Sequence, residues 1–458
     1  MYKEDTIAAI ATPPGEGGVA IIRISGLDAE KIAAKIFAHA QGENGQLKSH
    51  RLYHGDIRDP SSGRVYDEVL LTIMRKPRSY TGEDVVEIHC HGGAFLVRKL
   101  LGLVLAHGAR QAEPGEFTKR AFLNGRMDLS QAEAVLDLIR ARTDKATELA
   151  LTQASGELSK WIDQLREELL DILVQVEAAI DFPEEEIELL QRHLLIRNVD
   201  ELRQKLLDII NTYEWGRIFR DGAKVCVCGR PNVGKSSLVN ALLGEERVIV
   251  TPVPGTTRDV IEESINLDGL PVAIWDTAGI CETDDPVERI GVNLSKQYLE
   301  KADVVLVVFD GSAPLTLEDE AVLQSAVAKK IMIVVNKDDL PRNIAVDAIE
   351  KFFASNGISF VSAKMNHGIS GLKKNLRELL LGTEAEPSIV ITNLRHKNAL
   401  VRGEEALRRA VTTLGEGGAS EFVSVDLNET REALEDVIGR VTNDNILERI
   451  FSDFCIGK

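Results

Sequence analysis

Residues Gly229-Arg230-Pro231-Asn232-Val233-Gly234-Lys235-Ser236 have the spacing G-x-x-x-x-G-K-[ST] and follow the short apolar run Val225-Cys226-Val227-Cys228. The pattern demands a strand, a glycine turn and a helix start, in that order. Glycines let backbone N–H groups close around phosphate oxygens, and the helix beginning near Ser236 adds its positive dipole end. Lys235 supplies charge, and the Ser236 hydroxyl can ligate Mg²⁺. The implied ligand is a nucleoside triphosphate. A plain glycine turn between a strand and a helix is the bland alternative, and the surrounding sequence argues against it.

At 458 residues the chain exceeds what one core can serve, and domain-size statistics suggest about three units. Apolar residues make up 44% and charged residues 28%, a soluble globular balance. With 54 Lys+Arg against 72 Asp+Glu, the net charge of −18 excludes polyanion binding over the whole surface, so any nucleic acid must meet a local basic patch. Five scattered cysteines make no zinc-ribbon spacing, and Cys226 and Cys228 fall in an apolar strand. This fits a reducing cytoplasm. The first residues, Met1 to Thr6, lack a signal-peptide core, and no apolar run approaches the roughly 20 residues that span a bilayer, so no membrane association is expected.

The first module, ending near Ala112, reads as mixed α+β. Thr6–Ala11 and Val19–Ile24 flank a Pro/Gly turn, Asp28–Ala40 and Ala94–His107 read as helices, and Leu52–Ile57, Val69–Met74 and Val85–Ile88 as strands. Thr81-Gly82-Glu83-Asp84 and His89-Cys90-His91-Gly92-Gly93 place polar groups beside a helix start. His89 and His91 share a strand face, but no third metal ligand has a convincing spacing, so polar packing is the reading. After Glu113-Pro114-Gly115-Glu116, a capping box Ser130-Gln131-Ala132-Glu133 opens a long helical pattern through Trp161 to Val176. Asp181-Phe182-Pro183 interrupts it. The helical tail, Leu394 to Phe454, repeats the apolar stripes of those helices, and packing on them would bury more surface than folding alone. The expected division is therefore 1–118, 119–216, 217–382 and 383–458, with 217–382 inserted into a helical domain built from its two flanks.

Three further motifs follow the phosphate loop in order. Asp276-Thr277-Ala278-Gly279 ends the run Val272–Trp275, where a carboxylate can hold Mg²⁺ through water and Gly279 N–H can face a γ-phosphate. Asn336-Lys337-Asp338-Asp339 follows Ile331–Val335, and Asp339 can accept from the N1–H and 2-amino group of guanine, a donor pair adenine lacks. Ser362-Ala363-Lys364 completes the base pocket. GTP is thus the expected nucleotide, bound by Asn232, Val233, Gly234, Lys235, Ser236, Ser237, Thr251, Thr256, Thr257, Asp276, Thr277, Ala278, Gly279, Asn336, Lys337, Asp339, Ser362, Ala363 and Lys364.

Catalysis poses a separate problem, because Ile280 and Cys281 occupy the positions where Ras-like enzymes keep a water-orienting glutamine. An arginine finger is worth about 10³ to 10⁵ in rate, or roughly 4 to 7 kcal/mol. Both roles need substitutes here. Thr251-Pro252-Val253-Pro254-Gly255-Thr256-Thr257-Arg258-Asp259 is a threonine-rich switch whose hydroxyls and carbonyls can meet Mg²⁺ and a second cation, and Asn232 can add an amide oxygen. A monovalent ion held there would supply the missing positive charge.

With the loop and its Asn232, Gly255–Asp259, Asp276–Gly279, Val287-Glu288-Arg289-Ile290-Gly291 and the terminal Phe454-Cys455-Ile456-Gly457-Lys458, the whole chain resembles the MnmE (TrmE) family of tRNA-modification GTPases. The resemblance implies a multidomain α+β and α/β fold: a tetrahydrofolate-binding-like α+β amino-terminal domain, a helical domain and an inserted Ras-like P-loop GTPase domain. It implies K⁺ at Asn232, Thr251, Val253 and Thr256, Mg²⁺ at Ser236 and Thr257, and Glu288 as the residue that orients or activates water. Taken locally, Glu288 is only a solvated acid. The amino-terminal module would form a constitutive homodimer and bind a tetrahydrofolate derivative (5,10-methylene or 5-formyl) through Arg23, Glu87, Arg126 and Lys458. Arg126 replaces a lysine of some members, which keeps the charge and changes the donor geometry.

The tail fails a prenylation signal, because Ile456-Gly457-Lys458 lacks the required second aliphatic and last residue. The resemblance instead makes Cys455 a residue required for modification. It further implies a partner flavoprotein, MnmG, carrying FAD, in a heterotetramer or larger complex that installs aminomethyl or carboxymethylaminomethyl groups at C5 of the tRNA wobble uridine. A ribosome-assembly GTPase is the competing class, but no basic RNA-binding module is evident. An iron–sulfur maturation GTPase would need a cysteine and histidine ligand set that the carboxy-terminal region lacks.

Overall fold

Apolar residues alternating along the first strands build a sheet with one covered face. The computed structural model describes residues 5–39, 47–181, 189–244, 263–276, 298–326, 330–350, 357–382, 387–441 and 443–458. Strands β1 (Ile7–Ile10), β2 (Gly17–Ser25), β3 (Phe37–His39), β4 (Leu52–Arg58), β5 (Val65–Met74), β6 (Val85–Gly92) and β7 (Arg110–Gln111) form one sheet in the order β3-β4-β5-β6-β2-β1-β7. Neighbours are antiparallel except β1 and β7. Ile22, Ile24, Leu71, Ile73, Val86 and Ile88 are buried in one core with residues of α1 (Ala29–Ile36) and α2 (Ala94–Ala106). The other face carries Arg23 directly opposite Glu87.

The helix expected over Asp28–Ala40 stops at Ile36, because Phe37–His39 pairs with β4 in the register Phe37↔Ile57. Gly55 makes that approach possible, since a Cβ there would strike the Ala38 carbonyl and the Phe37 ring. Strand pairing and aromatic burial outweigh a weak helix preference.

The long helical pattern resolves into α3 (Glu116–Leu123), α4 (Leu129–Arg140), α5 (Asp144–Ala154), α6 (Glu157–Asp181), α7 (Leu189–Asn211) and α8 (Tyr213–Asp221). The reciprocal cap of α4 lies two residues before the expected one. Gln131 N donates to Asp128 Oδ1 and Asp128 N to Gln131 Oε1, each at 3.0 Å, while Ser130 Oγ donates to Asp128 at 2.7 Å. A carboxylate accepts more strongly than a hydroxyl, so Asp128 takes the cap.

A second sheet contains β8 (Ala223–Cys228), β9 (Glu263–Leu267), β10 (Leu270–Asp276), β11 (Val304–Asp310), β12 (Lys330–Asn336) and β13 (Ile358–Phe360), in the order β13-β12-β11-β8-β10-β9. All pairs are parallel except β9 with β10. Its helices are α9 (Lys235–Leu243), α10 (Leu317–Ala326), α11 (Val346–Glu350) and α12 (Ile369–Leu381). Residues Val304–Phe309 and Ile331–Val335 are apolar without alternation because cores form on both faces of the sheet. The carboxyl ends of the parallel strands therefore present Gly229, Asp276, Asp310 and Asn336 at one edge, the usual ligand edge of such sheets.

The tail forms α13 (Leu394–Gly415), α14 (Ser420–Ile438) and α15 (Asp444–Ser452). Two compact units result. One holds Met1–Leu136, Gln153–Glu185 and Ser420–Lys458, with α14 packed on α6; the other holds Asp137–Thr152 and Glu186–Ala419, with α13 packed on α7. In the first, Leu158, Ile162, Leu165, Leu169 and Val176 recur at helical spacing and are buried, as are Val423, Leu427, Leu434 and Val437. Also within that unit, Phe451 and Phe454 share a core with Leu129, Leu136 and Leu447. Among the described residues no helix is long and apolar enough to cross a membrane.

Candidate functional site

The phosphate-loop pattern folds as its spacing requires. Gly229 leaves β8 at φ 155° and lies against the Val308 carbonyl, Asn232 takes φ 64°, and Gly234 takes φ 95° directly before α9. Side chains larger than hydrogen are excluded at Gly234 by the Asn336 amide. Lys235 is 8% exposed, and its Nζ donates to the carbonyls of Gly229 at 2.9 Å and Arg230 at 3.0 Å. Ser236 Oγ donates to Asp276 Oδ2 at 2.9 Å, which brings together two hard oxygen ligands suited to Mg²⁺. The free N–H groups at the start of α9, the lysine and this oxygen pair are a donor set that fits a triphosphate with its metal.

Asn336 ties the two halves of the site. Its Nδ2 donates to the Val233 carbonyl at 2.9 Å and its Oδ1 accepts from Ala363 N at 3.0 Å. Asn336 is 3% exposed, so losing the amide would strand both backbone groups away from water. Beyond it, Ser362 Oγ donates to Asp339 Oδ1 at 2.6 Å. That hydrogen bond, with the nearby charges of Lys364 and Lys337, holds the Asp339 carboxyl below its ordinary value. An ionised, oriented carboxylate at this position can accept two guanine donors. Lys337 Nζ reaches Asp310 Oδ2 at 2.6 Å. Asp310 was not anticipated, although its place at the end of an apolar strand, like that of Asp276, was a usable signal.

In the amino-terminal module, Arg23 Nε donates to Glu87 Oε1 at 2.9 Å, and the guanidinium lies 5.1 Å from the Tyr80 ring centroid and 5.7 Å from that of Phe117. The chain's last residues meet this cluster. Ile456 bridges Pro114, Gly115 N donates to the Cys455 carbonyl at 3.4 Å, Phe117 N to the Lys458 carbonyl at 3.2 Å, and Arg23 Nη1 to the Gly457 carbonyl at 3.4 Å. Burial, and then the Arg23 charge, hold the Lys458 ammonium below its ordinary value. Arg126 is exposed and donates to the Ser79 carbonyl at 3.0 Å, beside Tyr80. Arg23, Glu87 and Lys458 thus converge with Tyr80 and Phe117, two aromatics that sequence reasoning passed over. An anionic, ring-bearing ligand finds cations, a carboxylate and ring faces here. Cys455 is exposed with a free thiol, whereas Cys226 and Cys228 are buried and burial raises both thiols, Cys226 to about 12. On β6, His91 Nδ1 is 2.7 Å from Asp67 and His89 Nε2 is 3.5 Å from Glu87.

Thr251, Val253, Thr256, Thr257, Thr277, Ala278, Gly279 and Glu288 lie outside the described residues, and Val233, Ser237 and Lys364 keep the positions that the loop and Ser362 give them.

A family model for the MnmE helical domain matches residues 129–455, and one for the GTP-binding protein TrmE N-terminus matches residues 6–126. Curated relatives called tRNA modification GTPase MnmE match the full length. That of Natranaerobius thermophilus is 45% identical over 99% of this chain and 100% of its own, and that of Geobacillus thermodenitrificans is 46% identical over 100% of both. The relative from Syntrophotalea carbinolica is 47% identical, again over 100% of both chains. With both domain models and full-length relatives in agreement, the chain belongs to the MnmE family of tRNA modification GTPases.

Proposed function

We propose that the protein hydrolyses GTP in the service of tRNA modification, acting at C5 of the wobble uridine, position 34, and that K⁺ activates the hydrolysis. A tetrahydrofolate derivative at Arg23, Glu87, Arg126 and Lys458 supplies a one-carbon unit, and a flavoprotein partner carrying FAD completes the reaction. The observation that carries this reading is the docking of Cys455–Lys458 onto the amino-terminal module beside Arg23 and Glu87, in a chain that elsewhere builds a guanine-nucleotide site. A simple switch GTPase has no use for that arrangement.

Mg²⁺ would sit at Ser236 and Thr257, and K⁺ at Asn232, Thr251, Val253 and Thr256, replacing an arginine finger. GTP turnover then drives a conformational cycle. The chain itself positions the phosphates through α9 and Lys235, selects guanine through Asp339, and presents the Cys455 thiol. Helical segments 119–216 and 383–458 belong to one domain interrupted by 217–382, and segment 1–118 forms the homodimer.

The test is mass spectrometry of tRNA nucleosides from a strain lacking the protein. Loss of aminomethyl and carboxymethylaminomethyl uridine, restored by the intact gene, is the expected result. Unchanged uridine modification would overturn the proposal.

A further inference from the structure

We infer that Arg230 and Asp319 are a positioning pair for the phosphate loop, an inference that rests on the reading of this loop as the GTP site. Arg230 Nε lies 3.3 Å from Asp319 Oδ2, and the Asp319 side chain is 3% exposed. The carboxylate is itself fixed: Thr316 N and Thr316 Oγ1 donate to Asp319 Oδ2 at 3.0 and 2.8 Å, closing the first turn of α10. The pair therefore ties a loop residue to a rigid helix end.

Stability is a weak account of it. A buried ion pair is commonly replaced by apolar residues of similar size without loss, and this one is imperfect, since Arg230 Nε and Asp319 Oδ1 are both sealed from water without a hydrogen bond. Two connections lead from Arg230 into the site. Its carbonyl accepts from Lys235 Nζ at 3.0 Å, so the anchor also places that acceptor. Next in the chain, Pro231 has a fixed φ and disfavours helical backbone at Arg230, which narrows the paths that lead to Asn232 at φ 64°. Holding the guanidinium on α10 thereby orients the lysine and the Asn232 amide together. Arg230 touches no reacting atom and acts through these two residues.

The experiment measures GTP hydrolysis by the full chain in K⁺ buffer for Arg230→Met, Arg230→Lys, Asp319→Asn and the double variant Arg230→Met/Asp319→Asn. Misplacement of catalytic groups lowers kcat by about 10- to 100-fold in Arg230→Met and Asp319→Asn, with KM for GTP changed by less than about threefold. Arg230→Lys recovers part of the loss, and the double variant is no worse than the poorer single one, the signature of two residues acting as a unit. Unchanged kcat, a rise in KM alone, or losses that multiply in the double variant would overturn the inference. Should Arg230→Met fail to fold, the near-isosteric Asp319→Asn decides by the same criteria. A parent chain with no GTP hydrolysis would instead refute the reading of the nucleotide site.

Discussion

Ser362 Oγ and Asp339 Oδ1, separated by 2.6 Å, bring a loop after β13 to the carboxylate that ends the Asn336–Asp339 motif. Asp339→Asn replaces an acceptor with a mixed donor and acceptor. Loss of a charged hydrogen-bond acceptor should weaken GTP binding roughly 10- to 100-fold, while xanthosine triphosphate, whose 2-oxo group accepts where guanine donates, should bind better than to the parent. Competition between the two nucleotides for a fluorescent analogue reads the outcome, and retained preference for GTP would contradict the role given to Asp339.

Asn232 is exposed at φ 64° in the loop, where its amide oxygen is open to a cation. If a monovalent ion stands in for an arginine finger, hydrolysis in KCl should exceed that in NaCl by about tenfold or more, and Asn232→Ala should remove the difference. Equal rates in the two salts would sink the idea.

Arg23 is enclosed by Glu87, Tyr80 and Phe117. Arg23→Ala deletes a cation and leaves Glu87 without that partner, so affinity for 5-formyl-tetrahydrofolate should fall about 10- to 100-fold by calorimetry. GTP hydrolysis should be preserved, because the two sites share no residue.

The Cys455 thiol is exposed, and its carbonyl is held by Gly115 N and Lys458 N. Cys455→Ser keeps those backbone bonds and removes only the sulfur. The variant should hydrolyse GTP within about twofold of the parent, as surface substitutions usually do, yet leave the wobble uridine unmodified in tRNA from cells that carry it alone. Normal modification would rule out a chemical role for the thiol.

Asp5 and Glu116 share Arg110 and Arg120, and Arg120 is only 3% exposed. The hydrogen bond from Arg110, joined by Arg120, lowers the Asp5 carboxyl. Burial alone would raise Glu116, but bonds from Arg110, Glu113 N and Arg120 outweigh it and lower it too. For a carboxylate depressed on folding, the stabilisation is present above its unfolded value near pH 4 and is lost as pH falls through the lower folded value. Asp5→Asn should therefore reduce stability at pH 7 and flatten the loss of stability below about pH 4. An unchanged acid limb in pH-dependent chemical denaturation would show that this network does not set it.

The nucleotide motifs are legible in the sequence because each is local. A phosphate loop needs its glycines, lysine and serine within eight residues, and the partner motifs stand at the ends of apolar runs that can only be buried strands. The α+β character of the first module followed from its periodicities, and the α/β character of the nucleotide domain from the family resemblance. Boundaries were less secure: helix α1 lost Phe37–His39 to a strand whose pairing partner, Ile57, is 20 residues away, and the cap of α4 moved to Asp128.

Long-range proximity depended wholly on tertiary folding. Gly457 meets Arg23 across 434 positions, and Arg230 meets Asp319 across a strand-rich insert; neither partnership leaves a mark on spacing. Motifs that satisfy their chemistry within one turn are written in the order of residues. A site whose groups are joined by sheet register, helix packing and a docked tail exists only when burial of apolar surface has brought those elements together.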